Sequence, residues 1–241
     1  MGKHARAVLK VLAVLLSIIA LLLVVSVFWL FYYSKDLPDT RVLATVVDPC
    51  STISLNAIPY TSIGDNMHAA LSAVEINESE AGVLASMHAA FRNTESPHRV
   101  PLSVQISRTL FCEPSTRFAR RLQELRMAVQ LERHFSQQEL FAIYVNRAYF
   151  GDGVTGVQAT SRSLFLKEPN QVTIAEAALI AGLVQSPSRF SPLKHPERAL
   201  QRRNAVIDAM VRESTISASQ AESAKAAPLG IAPPHVSTMP P

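Results

Sequence analysis

The chain has 241 residues, 48% of them hydrophobic, and its 23 Lys and Arg against 19 Asp and Glu give a formal charge of +4. Three of the cations, Lys3, Arg6 and Lys10, lie before the uncharged run that starts at Val11, leaving 20 cations against all 19 acids in the remainder. That near balance excludes the basic footprint of a nucleic-acid-binding protein, and the roughly 206 residues beyond the N-terminal segment suffice for one core or two lobes.

Between Lys10 and Lys35 the chain carries no charge, and Val11 to Tyr33 is interrupted by Ser17 and Ser26 alone. As a helix this run is roughly 36 Å long, enough to cross a bilayer. It is longer than the apolar core of a cleavable signal and leaves through Phe28, Trp29, Phe31, Tyr32 and Tyr33, an aromatic belt. The expected product is an uncleaved anchor. Lys3, Arg6 and Lys10 before it, against the nearly cancelling Lys35, Asp36, Asp39 and Arg41 after it, place the N-terminus in the cytoplasm and the domain outside.

Past the anchor, Pro38, Pro49 and Pro59 punctuate an extended connector. Cys50 and Cys112 both fall in the exported part, where a disulfide would close a loop of about 60 residues, and two isolated thiols are the other reading. A helix capped by Asp65 carries Met67, Ala70, Leu71 and Val74 on one face, and a second apolar stripe follows at Val83, Leu84, Met87 and Phe91. Pro97 and Pro101 bound a loop from Asn93. A helix over Arg117 to His134 comes next, then a capping box, Ser136 with Glu139, opens one running to about Gly151. Gly151, Gly153 and Gly156 turn tightly into a helix with Val157, Ser161, Leu164 and Phe165. Thr173 with Glu176 boxes an Ala-rich helix that stops at Pro187, and Pro196 opens a helix with Leu200, Val206, Ile207 and Met210 on its apolar face. A tail from Ala226 ends in Pro233, Pro234, Pro240 and Pro241. The fold class is mainly α.

Few residues carry chemistry on local pattern alone. Glu75 sits at the edge of the apolar face of its helix, where desolvation raises a carboxyl pKa towards the range of a general base, and a solvated helix end beside Glu78 and Glu80 is the plainer reading. Glu124 follows Arg120 and Arg121 by four and three residues on one helical line. Arg108, Arg117, Arg120, Arg121 and Arg126 form a cation-rich stretch suited to phosphate groups, or a solvated basic face. No Cys/His spacing fits zinc, and Ser191 to Lys194 spells S-x-x-K without a partner K-T-G.

Four blocks, RRLQE (120–124), QLERHFSQQELFAIYVNRAYFG (130–151), GVQATSRSLF (156–165) and TIAEAALIAGLVQSPSRFSP (173–192), resemble glycosyltransferase family 51, the peptidoglycan glycan-strand polymerases. Weaker similarity reaches from about Pro59 to about Ala232. The resemblance implies a lysozyme-like helical lobe with a smaller membrane-proximal lobe, and divides the chain into a cytoplasmic tail (1–10), transmembrane helix (11–34), connector (35–60), glycosyltransferase-like domain (61–232) and disordered tail (233–241). With the sequence ending at Pro241 and no transpeptidase domain in it, the monofunctional members are the nearer comparison, and penicillin binding is not expected.

The implied reaction adds the lipid-linked disaccharide-peptide lipid II to a growing glycan chain and releases polyprenyl pyrophosphate, at the outer face of a bacterial inner membrane. By resemblance Glu75 stands at the catalytic base and Glu124 at the second glutamate near the pyrophosphate, with Arg120 and Arg121 as that motif's basic pair. Ser103, Gln105 and Arg108 keep part of a second, substrate-binding motif. No tightly bound cofactor is implied beyond a divalent cation such as Mg at the pyrophosphate. The implied partners are lipid II, the glycan chain, the membrane and other cell-wall synthesis proteins, with no nucleic acid. The upstream pattern departs from the family at Ile76, Ser79 and the glycines missing before Ser103. From those departures follows a second expectation, a member that binds lipid II or scaffolds wall synthesis without turnover. A lysozyme-like glycan hydrolase, a third option, leaves the anchor and the arginines unexplained.

Overall fold

The computed structural model describes residues 3–32, 57–74, 101–110 and 117–232. Glu75, Ile76, Ser79, Cys50, Cys112, the apolar stripe of Val83 to Phe91, the loop from Asn93 to Arg99 and the tail 233–241 lie outside the described residues. Two compact units are present, Met1–Pro38 with Ser115–Gln123 and Asp39–Pro114 with Glu124–Pro241.

In the first unit, helix α1 runs Lys3–Tyr32. From Lys10 to Trp29 it is long and apolar enough to cross a membrane, and its large side chains, Leu16, Leu22 and Phe28 among them, are exposed. Its two serine hydroxyls need no outside partner, because Ser17 donates to the Ala13 carbonyl at 2.9 Å and Ser26 to the Leu23 carbonyl at 2.8 Å.

The second unit is built around α7, Ile174–Gln185, with α2 at Asp65–Val74, α3 at Leu102–Leu110, α4 at Arg117–His134 (its first residues belonging to the other unit), α5 at Gln137–Arg147 and α6 at Val157–Phe165. Completing it are a short α8 at Pro187–Phe190, α9 at Pro196–Arg212 and α10 at Ala218–Ala226. An α7 apolar on every side must be enclosed, and Ala177 to Leu183 are indeed buried along its length. It packs against α2, α6, α8, α9, α10 and the short strand β1, Tyr149–Gly151. Small residues permit that crowding: a Cβ on Gly182 would come within 2.9 Å of Arg202 Cγ on α9.

Both capping boxes form as the sequence requires. Ser136 accepts from the Glu139 amide while Glu139 accepts from Ser136, and Thr173 and Glu176 do the same for α7. The Glu176 carboxyl is raised by burial, yet the Lys167 ammonium at 2.7 Å and the Thr173 amide outweigh that and hold it below its ordinary value.

Three expectations need correction, and one helix is additional to those expected. The helix opened by Ser136 ends at Arg147, and Tyr149–Gly151 (β1) instead pairs antiparallel with Val154–Thr155 (β2). Asp152 and Gly153 between them both have positive φ, 51° and 80°, which is the backbone that an Asp-Gly hairpin turn needs. On α9, Leu200 is exposed, and Ala199 and Arg203 take its place in the buried stripe with Val206, Ile207 and Met210. Asp65 lies in the first turn of α2 rather than capping it, and the Gly64 carbonyl accepts from His68. Finally, Ser217 with Gln220 boxes a further helix, α10, before the tail.

Candidate functional site

The Pro101 carbonyl accepts from the Val104 and Gln105 amides and so starts α3. Leu102, Ser103, Ile106 and Ser107 then fall on one face with helical spacing and are buried, while Arg108 and Thr109 are exposed. Buried serines on this face need internal acceptors. Ser107 donates to the Val104 carbonyl at 2.8 Å, and Ser103 donates to Glu132 Oε1 of α4 at 2.7 Å.

On α4, Met127, Ala128 and Leu131 are fully buried, which fixes the rotation of that helix and turns Glu124 inward, its side chain 13% exposed. Arg108 Nε approaches Glu124 Oε2 to 3.7 Å, with the arginine side chain 54% exposed. The distance lies within charge attraction but beyond a hydrogen bond. A half-open guanidinium beside a sheltered carboxylate can receive an anion without first breaking a tight bidentate pair.

Of the residues predicted from sequence, the structure therefore brings Arg108 to Glu124. Gln105 is half-buried on α3, one turn before Arg108 and Thr109. Ser103 is buried and donates to Glu132 of α4. Arg120 is half-buried and Arg121 exposed on the same helix as Glu124, within the first unit. α2 leads towards Glu75, Val74 being its last described residue.

The S-x-x-K stretch is a structural clasp. Ser191, 2% exposed, donates to Asp152 Oδ2 at 3.0 Å, and Lys194 bonds Asp152 Oδ1. The Lys194 bond holds the Asp152 carboxyl below its ordinary value against the opposing effect of burial, and the same bond pushes the Lys194 ammonium up. A lysine held as a cation cannot serve as the base for a serine nucleophile.

A further polar anchor escaped the sequence. Asn146 on α5 receives the Ile58 amide at 3.0 Å and donates to the Ile58 carbonyl at 2.9 Å, tying the end of the connector to the domain. Gly156, at φ 88°, lets the next segment pass close by: a Cβ there would meet the Asn146 carbonyl oxygen at 2.9 Å. Glu132 was missed as well, although it lies two turns below Glu124 and so on the same side of α4.

Fold and site together define a mainly helical protein with an N-terminal helix long enough to span a bilayer and a guanidinium–carboxylate pair where α3 meets α4. The chain belongs to the transglycosylase family, whose model matches residues 43–211. Penicillin-binding protein 1A of Aquifex aeolicus is 30% identical over 244 residues, covering 92% of this chain and 34% of its own length. Penicillin-binding protein 1A of Pseudomonas aeruginosa is 31% identical over 181 residues, covering 72% of this chain and 22% of its own. The crystal structure of penicillin-binding protein 1A from Haemophilus influenzae matches 54% of this chain and 16% of that one at 27% identity, with a TM-score of 0.39. The chain thus spans about a third or less of the length of these relatives.

Proposed function

We propose that this chain is a membrane-anchored peptidoglycan glycosyltransferase that polymerises lipid II, with its N-terminus in the cytoplasm and residues 61–232 acting on the outer face of the inner membrane. The observation that carries the reading is the open Arg108–Glu124 pair in a transglycosylase-family chain. In the reaction the 4-hydroxyl oxygen of one disaccharide attacks the anomeric carbon of the growing chain. The carbon inverts, its bond to oxygen of the polyprenyl pyrophosphate breaks, and the electron pair leaves with the pyrophosphate.

Glu75 takes the hydroxyl proton as the attack proceeds. A sugar hydroxyl is a weak nucleophile without such a base, which is worth about 100- to 10,000-fold in rate. Arg108 supplies cationic charge that the leaving pyrophosphate requires, and Arg120 and Arg121 are assigned to substrate binding as the basic pair of their motif. Gln105 donates hydrogen bonds to the same substrate. Mg takes one or two carboxylates from a protein when phosphates complete its shell. The single sheltered carboxylate of Glu124 meets that need, so Glu124 would hold such an ion, which would neutralise charge on the leaving group.

Incubating the purified full chain with lipid II in detergent and following glycan strands on gels tests the reading. The expected result is strand formation by the wild type and its loss in Glu75→Gln. Full activity in Glu75→Gln would refute the base assignment. The replacements at Ile76 and Ser79 favour one other outcome, retained lipid II binding with no product from either protein, which would make the chain a binding member of the family.

A further inference from the structure

Two side-chain rungs of unlike character join α3 to α4. The inner rung is short and enclosed: Ser103 is 1% exposed and its hydroxyl donates to Glu132 Oε1 at 2.7 Å. The outer rung is long and open, with Arg108 Nε 3.7 Å from Glu124 Oε2 and more than half of the arginine side chain in solvent. Between them Ile106 and Ser107 are buried, so the segment of α3 linking the rungs is packed in place.

Helix geometry makes the inner rung the one that fixes alignment. Five residues separate Ser103 from Arg108, about 7.5 Å along α3, and eight separate Glu124 from Glu132, about 12 Å along α4. The serine contributes one rotatable bond before its oxygen and the arginine stem four, so the inner rung has the less slack of the two. α3 is seated on α5, and the short rung ties the seated helix to α4, while the long one follows at the surface.

We infer that Ser103 and Glu132 are positioning residues: their enclosed hydrogen bond fixes the rotation of α3 and so delivers the Arg108 guanidinium to the place beside Glu124 where the pyrophosphate of the substrate is held. The inference rests on the glycosyltransferase reading above. A turn of α3 by about 20° would sweep a head group on a helix of about 6 Å radius through roughly 2 Å. A misplacement of about 1 Å is enough to cost up to about 100-fold in rate. The placement also changes the part expected of Ser103 from sequence. Its oxygen is spent on Glu132 and shut from solvent, so a substrate reaches it after the α3–α4 packing has been opened and not before.

The test uses the full chain in detergent, with farnesyl pyrophosphate as a binding probe by calorimetry, lipid II polymerisation for kcat and KM, and circular dichroism melting to establish folding. Ser103→Ala and Glu132→Ala are each expected to weaken probe binding by about tenfold and to lower kcat, as a displaced cation would. Ser103→Thr, which keeps the hydroxyl donor, is expected to bind as the wild type does. On an Arg108→Gln background, Ser103→Ala should cause no further loss, because both changes act through one guanidinium.

Multiplying losses in that double variant would mean that Ser103 touches the ligand itself and would overturn the inference. So would a Ser103→Ala protein that melts earlier yet binds like the wild type, since the pair would then be packing alone. A wild-type chain that binds no prenyl pyrophosphate would remove the glycosyltransferase reading and this inference together. Tight wild-type binding that is indifferent to Ser103 and Glu132 would remove the inference and leave the reading standing.

Discussion

Arg108 and Glu124 face each other at 3.7 Å where α3 meets α4, the arginine in solvent and the glutamate sheltered. Opposite charges at that separation attract without locking, and a guanidinium presents five donors in a planar fork that suits the oxygens of a pyrophosphate. Arg108→Ala is expected to remove a charge-assisted contact of about 1.5 to 3 kcal/mol, a fall in kcat/KM of roughly 10- to 100-fold. Arg108→Lys should recover part of this, because an ammonium restores the charge but not the planar fork. Steady-state kinetics on lipid II measure both, and equal activity in Arg108→Ala and wild type would take Arg108 out of the site.

The Asp152 clasp makes a prediction about pH. The Lys194 bond depresses the Asp152 carboxyl, with the Ser191 bond acting in the same direction. A depressed carboxyl contributes stability above its ordinary value of 3.8 and loses it as pH falls through the lower folded value. Lys194 is raised, so its share is present below its ordinary 10.5 and vanishes as pH climbs through the higher folded value. The difference in melting temperature between wild type and Asp152→Asn should therefore be a plateau across neutral pH that shrinks at both extremes. A difference that is the same at pH 2 and pH 7 would mean that the clasp acts through shape and not charge.

Legibility followed sequence range. Ser136 with Glu139, Thr173 with Glu176 and Pro196 each act within three or four residues, so their helices start where the sequence places them. The buried faces of α2 and α6 follow from 3.6-residue spacing alone, and Met67, Leu71, Val157 and Phe165 are inside. The hairpin was readable in principle, since Asp152-Gly153 is a two-residue turn signal, but the flanking strands are too short to show alternation. Contacts across long separations left no local trace: Asn146 reaches 88 residues back to Ile58, and Asp152 about 40 ahead to Ser191 and Lys194. For the candidate site, the spacing of Arg120, Arg121 and Glu124 was visible, whereas the approach of Arg108 and the inward turn of Ser103 depend on how α3 lies on α4.

Arg203 is the charged residue that hydrophobic patterning passes over, being buried inside the apolar stripe of α9. Its Nη1 and Nη2 donate to the carbonyls of Ala227 at 2.7 Å and Lys225 at 2.8 Å, and Nε to Asn204 Oδ1 at 3.1 Å. The carbonyls at the end of α10 carry the negative end of a helix dipole, which is what a guanidinium without a facing carboxylate needs. Burial lowers its pKa from the ordinary value. Arg203→Leu would leave the Lys225 and Ala227 carbonyls, its two short acceptors, without that donor at about 1 to 3 kcal/mol each, a loss of roughly 2 to 6 kcal/mol in all. Urea titration measures the total. Amide exchange should rise first in α10, and uniform protection there would show that the helix is held by other contacts.

Leu166 closes α6 in the left-handed conformation, φ 58° and ψ 30°, with its side chain 61% exposed. Its amide still bonds the Arg162 carbonyl at 3.0 Å, so the cap is made with a residue poorly suited to it. A side chain at that φ costs about 1 to 2 kcal/mol relative to glycine, and glycine gives back about 0.4 to 1 kcal/mol through the wider freedom of the unfolded chain. Little burial is lost, because most of the leucine is in water. Leu166→Gly is therefore expected to stabilise the domain by about 0.5 to 1 kcal/mol, a rise of roughly 2 to 3 °C for a domain of this size. Leu166→Val should move the other way, since branching at Cβ crowds the left-handed backbone further. Thermal and urea unfolding of the two variants decide the matter by sign. A destabilised Leu166→Gly would show that the exposed leucine makes contacts worth more than the backbone strain it imposes.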